Sequence, residues 1–369
     1  MLWDVFCRVV DNFGDIGVCW RLCADLAERG HDVRLWVDDA SALSWMAPVA
    51  KRPPGLQLRP WDSPPEEPGD VVIEAFGCNP PDAFVNLMQR PAPPVWINLE
   101  YLSAEAWVER CHGLRSPVMS GPGNGLTKWF FYPGFTPRTG GLLREANAMA
   151  RRTQWQQDQA ACRHDWLNRH GVAPLAADER LVSLFCYQLA PVGALLDSLM
   201  AGDRPVRVLV MPGFAGLLTR AWQLQNSAAP RHVTLHEMPA FLSQVDFDQL
   251  LWCCDLNFVR GEDSAVRALW AGRPHIWQIY PQDDGVHAGK LDAFMDGWMA
   301  GWPEDLASDV RRVWRCWNGL DSAPTADFSP LNRLWDDPRW VELSGSSLQR
   351  LAEIPDLVTQ LCGFVLDKR

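Results

Sequence analysis

The sequence predicts an α/β protein made of two successive βα domains. Three observations lead there. The chain has 369 residues, where one domain usually holds about 100–200. Short apolar runs alternate with helix-patterned stretches along most of it, the rhythm of parallel sheets covered by helices. That rhythm loosens once, near the middle, and restarts at Leu181.

In order, MLWDVFCRV is the first strand, and IGVCWRLCADLAERG is a helix that stops on Gly30. DVRLWVDD is the second strand, ASALSWMA a short helix and GLQLRPW the third strand. DSPPEEPGD is a loop by composition. DVVIEAFG, PDAFVNLMQ and PVWINLEYL follow as strand, helix and strand. From 103 to 150 the pattern gives way to a Gly- and Pro-rich, aromatic stretch, the kind of long loop that tends to carry function. Residues 151–170 read as one helix ending at Gly171. The second series runs LVSLFCY (strand), VGALLDSLMAG (helix), PVRVLVMPG (strand), FAGLLTRAWQLQ (helix), VTLHEMP (strand) and FLSQVDFDQLLWCC (helix). It continues with DLNFVRG (strand), DSAVRALWAG (helix) and HIWQIYP (strand), and closes in helices, the last over 347–366.

Composition excludes several classes. A formal net charge of -11 argues against nonspecific nucleic-acid or anionic-membrane binding. No apolar stretch reaches the roughly 18 residues a membrane span needs, and the N-terminus lacks a signal-peptide pattern. The expected compartment is the cytoplasm. The 11 cysteines form no C-x-x-C pair, which reads as reduced, mostly buried thiols and no metal site. Of the 20 tryptophans, Trp270, Trp277, Trp298, Trp302, Trp314 and Trp317 crowd the second half as core.

Ligands of doubly wound sheets sit beyond the carboxyl ends of strands. Two loops fall there. DNFGDIG, residues 11–17, carries Asp11, Gly14, Asp15 and Gly17. Gly14 and Gly17 make a weak relative of a phosphate loop, but two carboxylates repel a diphosphate and suit a cation or proton removal better. The plain structural alternative is an Asp15 N-cap with a turn aspartate. The second loop, RGEDS, offers Arg260 for a charge-assisted phosphate contact. Gly261 allows close approach, and Asp263 or Ser264 can cap the helix whose N-terminus favours an anion. Glu262 either bonds sugar hydroxyls or pairs with Arg260. Tyr280 ends the next strand. Phe185 and Tyr187 alternate along their strand, which lets them share a side, and they either flank a base or sugar or belong to the core. Phe241, Gln244 and Phe247, three apart, form either a base-reading stripe or core.

DNFGDIGVCWRLCADLAERGHDVRLWVDD, PVWINLEYLSAEAWVE, KWFFYPGFTPRTGGL and FVRGEDSAVRALWAGRPHIWQIYPQDDGVH together resemble the EarP family, bacterial protein-arginine rhamnosyltransferases that modify elongation factor P. The resemblance spans nearly the whole chain. It implies a GT-B glycosyltransferase with two facing Rossmann-like domains and a cleft between them. Residues 1–175 form the acceptor-binding domain, 176–345 the nucleotide-sugar domain, and 346–369 a helix packing back on the first. It implies dTDP-β-L-rhamnose as donor, no metal or cofactor, and inversion to an α-linked product. By resemblance, Asp11, Asp15 and Glu262 match catalytic carboxylates. Phe185, Tyr187, Phe241, Gln244, Phe247, Arg260, Asp263, Ser264 and Tyr280 match donor-contact positions, and Gly261, Asn12, Phe13, Gly14 and Gly17 complete the expected donor-binding set.

An acidic loop then has a use. A guanidinium of pKa above about 12 arrives protonated, and carboxylates can hold it, aim one nitrogen and remove its proton. The alternatives are a small-molecule or lipid acceptor on the same fold, or a non-catalytic nucleotide-binding or partner-docking module. A nicotinamide oxidoreductase lacks its glycine fingerprint.

Overall fold

The computed structural model describes residues 1–10, 13–49, 52–226, 232–282, 285–320 and 326–369. The first sheet has seven strands: β1 (Leu2–Cys7), β2 (Asp32–Val37), β3 (Leu56–Pro60), β4 (Val71–Ala75), β5 (Val95–Leu99), β6 (Arg115–Pro117) and β7 (Thr127–Phe131). Their order is β3-β2-β1-β4-β5-β7-β6. Every pairing is parallel except β6 with β7. Helices α1 (Gly14–Glu28), α2 (Leu43–Met46), α3 (Asp82–Leu87) and α4 (Val108–Cys111) belong to the same part of the chain.

Side chains on β1 alternate between faces. Trp3, Val5 and Cys7 join one core with Ile16, Leu22 and Leu26 of α1; Phe6 joins a second with Trp36, Phe84 and Trp96. Asp4 is buried within this strand. It accepts from Arg34 Nε (2.6 Å) and Nη2 (2.7 Å), Trp36 Nε1 (2.7 Å) and the Gly69 amide (2.7 Å). Four donors offset the cost of burying that carboxylate.

The second sheet is wholly parallel: β8 (Arg180–Leu184), β9 (Val206–Val210), β10 (Val233–Glu237), β11 (Leu256–Arg260) and β12 (His275–Gln278), ordered β10-β9-β8-β11-β12. Its helices are α5 (Ala148–Gln157), α6 (Gln159–Arg169), α7 (Val192–Ala201), α8 (Phe214–Gln225), α9 (Gln244–Cys253), α10 (Gly261–Ala271), α11 (His287–Trp298), α12 (Glu304–Trp317), α13 (Ser329–Asp336) and α14 (Pro338–Ala352). The six tryptophans expected in the core are all buried.

Contacts divide the chain into Met1–Ala146 with Leu351–Arg369, and Asn147–Arg350. The first boundary therefore lies earlier than 175. The reason is packing: Trp155 of α5 meets Trp252 edge-on (5.6 Å), Trp166 Nε1 donates to the Asp246 carbonyl (3.2 Å), and Arg163 pairs with Asp255 (2.9 Å). The second boundary falls inside α14, a few residues beyond 345. α15 (Leu357–Lys368) belongs to the first unit. Asp356 caps it by accepting from the Thr359 amide (2.9 Å), and Leu357, Val358, Leu361 and Val365 are buried in the same core as Trp3. Each such side chain contributes about 1.5–3 kcal/mol.

Three local expectations change. The loose stretch after 103 contains the β6–β7 hairpin, whose Gly- and Pro-rich turn masks its strands in the sequence. The single helix over 151–170 is two, broken at Asp158, whose side chain accepts from the Ala161 amide (3.4 Å). The strand over 181–187 ends at Leu184, so Phe185 and Tyr187 lie beyond its carboxyl end.

Candidate active site

Both sheets have the same winding. In each, the order reverses between the first strand and its neighbour: β1 against β4, and β8 against β11. A doubly wound sheet opens its ligand crevice at that reversal, outside the carboxyl ends. The two predicted loops leave the carboxyl ends of β1 and β11.

In the first unit the chain leaves β1 under tight control. The Val9 amide donates to Asp38 Oδ1 (2.9 Å) and the Val10 amide to Asp15 Oδ2 (2.9 Å). α1 starts at Gly14 with Phe13 as N-cap residue and no side-chain cap bond. Asp15 is therefore not the cap. It sits in the first turn, where the helix dipole favours a carboxylate, and it is only 3% exposed. Gly14 and Gly17 lie within that first turn, the Gly17 amide bonding the Phe13 carbonyl (3.0 Å), rather than in an open glycine loop. The Phe13 ring meets Trp45 edge-on at 5.1 Å. Asp11 and Asn12 lie outside the described residues.

The neighbouring carboxyl ends add features the sequence did not announce. Phe76, just past β4, takes φ 57, an uncommon conformation for a bulky residue, and stacks on Tyr101 at 4.4 Å. Beside it Glu100 accepts from Asn98 Nδ2 (2.7 Å), and burial raises its pKa above the usual carboxylate value.

In the second unit RGEDS is no loop. Arg260 is the last residue of β11 and the N-cap position of α10, and Gly261 takes φ 67 where strand passes directly into helix. The expected cap by Asp263 or Ser264 is replaced: Ser264 Oγ donates back to the Arg260 carbonyl, one helical turn away. Glu262 and Asp263 occupy the first turn, both partly exposed. The Arg260 guanidinium carbon lies over the rings of Phe185 (4.5 Å) and Tyr187 (4.6 Å). Among the described residues Arg260 makes no salt bridge, and its buried Nε has no hydrogen-bond partner.

The remaining predicted residues gather round this arginine in part. Phe247 meets Phe185 at 6.2 Å, and Tyr280, about half-exposed, meets Tyr187 edge-on at 5.4 Å. Gln244 is the first residue of α9, capped by Ser243, whereas Phe241 precedes the cap. Phe241, Gln244 and Phe247 therefore do not share one helix face. Sequence reasoning missed Gln278, whose Oε1 accepts from the Tyr187 amide (2.7 Å). It also missed Arg267, which grips Asp248 through two 2.8 Å bonds and ties α10 to α9. A glutamine at the end of the buried strand HIWQ was the available signal for the first.

Chemically, one reversal point presents a buried carboxylate and the other an arginine at a helix N-terminus. Among the described residues no group of three or more His, Cys, Asp or Glu could hold a metal ion, and no helix is long and apolar enough to cross a membrane.

Two α/β units of this winding have the fold of the GT-B glycosyltransferases. Solved structures agree on the fold, among them glycosyltransferase VinC in complex with dTDP, at TM-score 0.53 and 12% identity over the full length of both chains. The chain belongs to the EarP family: the family model described as elongation-factor P (EF-P) rhamnosyltransferase EarP matches residues 3–366. It is 45% identical to a protein-arginine rhamnosyltransferase of Pseudomonas putida, over 98% of both chains. It is 41% identical to the Pseudomonas aeruginosa protein of that name, over 99% of both. A solved structure concerning EarP-mediated arginine glycosylation of translation elongation factor EF-P superposes with TM-score 0.69 at 32% identity, covering 100% of this chain and 99% of the other. The protein is thus an enzyme of the protein-arginine rhamnosyltransferase class.

Proposed function

We propose that this enzyme transfers rhamnose from dTDP-β-L-rhamnose to one arginine side chain of elongation factor P, with inversion. The observation that carries the reading is the opposite charge at two equivalent reversal points, Asp15 after β1 and Arg260 after β11. The acidic turn serves the cationic acceptor and the arginine serves the diphosphate.

The acceptor guanidinium is held by carboxylates, Asp15 with Asp11 beside it in sequence, through charge-assisted hydrogen bonds that aim one nitrogen at the sugar. That nitrogen forms a bond to the anomeric carbon as the bond from that carbon to the diphosphate oxygen breaks. The electron pair leaves with dTDP. Nitrogen acidity rises as the new bond forms, and Asp15 takes the proton as general base. Arg260 and the N-terminal amides of α10 neutralise the charge growing on the leaving group. Attack opposite the departing nucleotide inverts the centre. Glu262, in the first turn of α10, is assigned to the sugar's hydroxyls. No metal enters the scheme. A translation factor as acceptor places the reaction in the cytoplasm.

The test is incubation with purified elongation factor P and dTDP-rhamnose, read by intact-protein mass spectrometry. One added deoxyhexosyl group that maps to an arginine supports the reading. An unmodified factor in the presence of enzyme shown to bind dTDP contradicts it.

A further inference from the structure

The first unit holds a carboxylate that the proposed reaction does not use. Resting on the reading that this unit receives a protein acceptor, we infer that it carries a second cation subsite. Glu100, beside Phe130, Tyr132 and Trp107, takes a lysine or arginine side chain of the acceptor other than the arginine being modified.

One face of the first sheet builds the site. Asn98 and Glu100 lie two apart and point the same way, since Asn98 Nδ2 donates to Glu100 Oε1 (2.7 Å). Asn98 pairs with Phe130 across β5 and β7. The Glu100 amide donates to the Phe131 carbonyl (2.9 Å), which carries that register one step past the strands. Tyr132 is therefore the neighbour of Glu100. Its ring stacks with Phe130, 6.3 Å between centroids and 21° between planes, and meets Trp107 edge-on at 5.4 Å. Burial, and then the Glu100 charge, push the Tyr132 phenol up to about 12. All four residues reach the surface, and Trp107 is 38% exposed.

The charges on this face are closed everywhere but at Glu100. Asp4 on β1 is gripped by Arg34. Glu74 on β4 accepts from Lys128 Nζ and from Trp96 Nε1 (3.2 Å), and Lys128 lies over the Trp96 ring at 4.5 Å. Glu100, just past the carboxyl end of β5, accepts from neutral donors, Asn98 Nδ2 and the Tyr101 amide. Among the described residues it forms no ion pair with lysine or arginine, and burial raises its pKa. A half-buried carboxylate is costly without a cation. An incoming lysine or arginine gains a charge-assisted bond to it and aromatic faces beside it. A net charge of -11 favours a basic partner surface in the same way.

A second residue supplies this cation. Asp15 belongs to α1, which packs on the opposite face of the sheet with Val5 and Cys7, whereas Glu100 shares its face with Trp96. Glu100 also lies two strands from β1, about 10 Å away, a span that extended chain covers in about three residues.

The test uses the full chain, dTDP-rhamnose and purified elongation factor P, with KM for the factor and turnover read separately. Glu100→Gln keeps the shape and removes the charge. It is expected to raise KM about 5- to 10-fold at low salt, with saturated turnover changed less than about twofold, and the difference should shrink as salt rises. Trp107→Leu should raise KM by a smaller factor. Replacing each lysine and arginine around the target by methionine in turn should identify one whose loss weakens the wild-type enzyme to the same extent but leaves Glu100→Gln unaffected. An unchanged KM overturns the subsite, as does lowered turnover at unchanged KM, or a raised KM that no basic residue of the factor shares. Should Glu100→Gln fail to fold, Trp107→Leu at its exposed position carries the cycle with the same factor variants. A factor left unmodified by the wild-type enzyme would sink the acceptor reading, and this inference with it; a factor modified normally but indifferent to Glu100 sinks the subsite alone.

Discussion

The carboxyl ends of β1 and β11 are built alike and charged oppositely. Each precedes a helix at the point where strand order reverses. After β1 the chain takes several residues to enter α1, and the carboxylate of Asp15 turns back onto the Val10 amide. After β11 there is no intervening loop: Gly261 turns the chain at once, and Arg260 stands at the junction between two rings. Winding selects the place, and the residue type at the turn sets its charge. On the proposed reading, one scaffold serves a cation in one unit and an anion in the other.

The largest effect that could break this comparison is at the acidic turn. Asp15→Asn keeps an oxygen for the Val10 amide but cannot accept a proton. Steady-state assays should show turnover lowered about 10²–10⁴-fold, with dTDP affinity nearly intact. Robust turnover would remove Asp15 from the base role.

Next comes the buried pair behind the arginine. Arg267 and Asp248 are each 3% exposed at the side chain. Removing Arg267 leaves the buried Asp248 carboxylate with the longer contact to Arg151 Nη2 (3.8 Å), so Arg267→Leu should lower stability by about 3 kcal/mol in urea unfolding. A smaller loss would mean that α9 and α10 hold together without it.

A third prediction concerns pH and the second unit alone. His275 is buried between Trp298 and Trp314, its Nδ1 bonded to the Arg273 carbonyl, and burial lowers its pKa to about 4. As pH falls, the unfolded chain takes up this proton first. The contribution is complete above about 6.5 and is lost as pH falls toward 4, by about 3 kcal/mol in all. His275→Phe should flatten that acid limb in pH-dependent unfolding; an unchanged slope would assign it to other groups.

The smallest effect sharpens the contrast most. Arg260→Ala should weaken dTDP about 10- to 100-fold by loss of charge-assisted bonds, while leaving the affinity of the acidic turn for an arginine-bearing peptide as it was. Calorimetry with both ligands reads this. Loss of both affinities would deny the division of labour.

Much of this was legible in the sequence. Strands of a parallel sheet are buried on both faces and read as unbroken apolar runs, so VVIEA and VWINL stood out. The hairpin of Arg115–Pro117 and Thr127–Phe131 did not, because one strand is three residues long and the turn chemistry between them dominates the composition. Asp15 and Arg260 could be singled out because each is a charged residue at a strand-to-helix turn. What no local pattern could reveal was that Arg260 lies across Phe185 and Tyr187, residues from a different strand end brought close only by the β8–β11 pairing. Nor could spacing show that Phe241 falls before the Ser243 cap and Gln244 after it.

The most direct test of the division between the two turns is a crystal structure with dTDP bound. The account predicts diphosphate oxygens against the Arg260 guanidinium and the N-terminal amides of α10. Diphosphate against residues 13–17 at the start of α1 would contradict it.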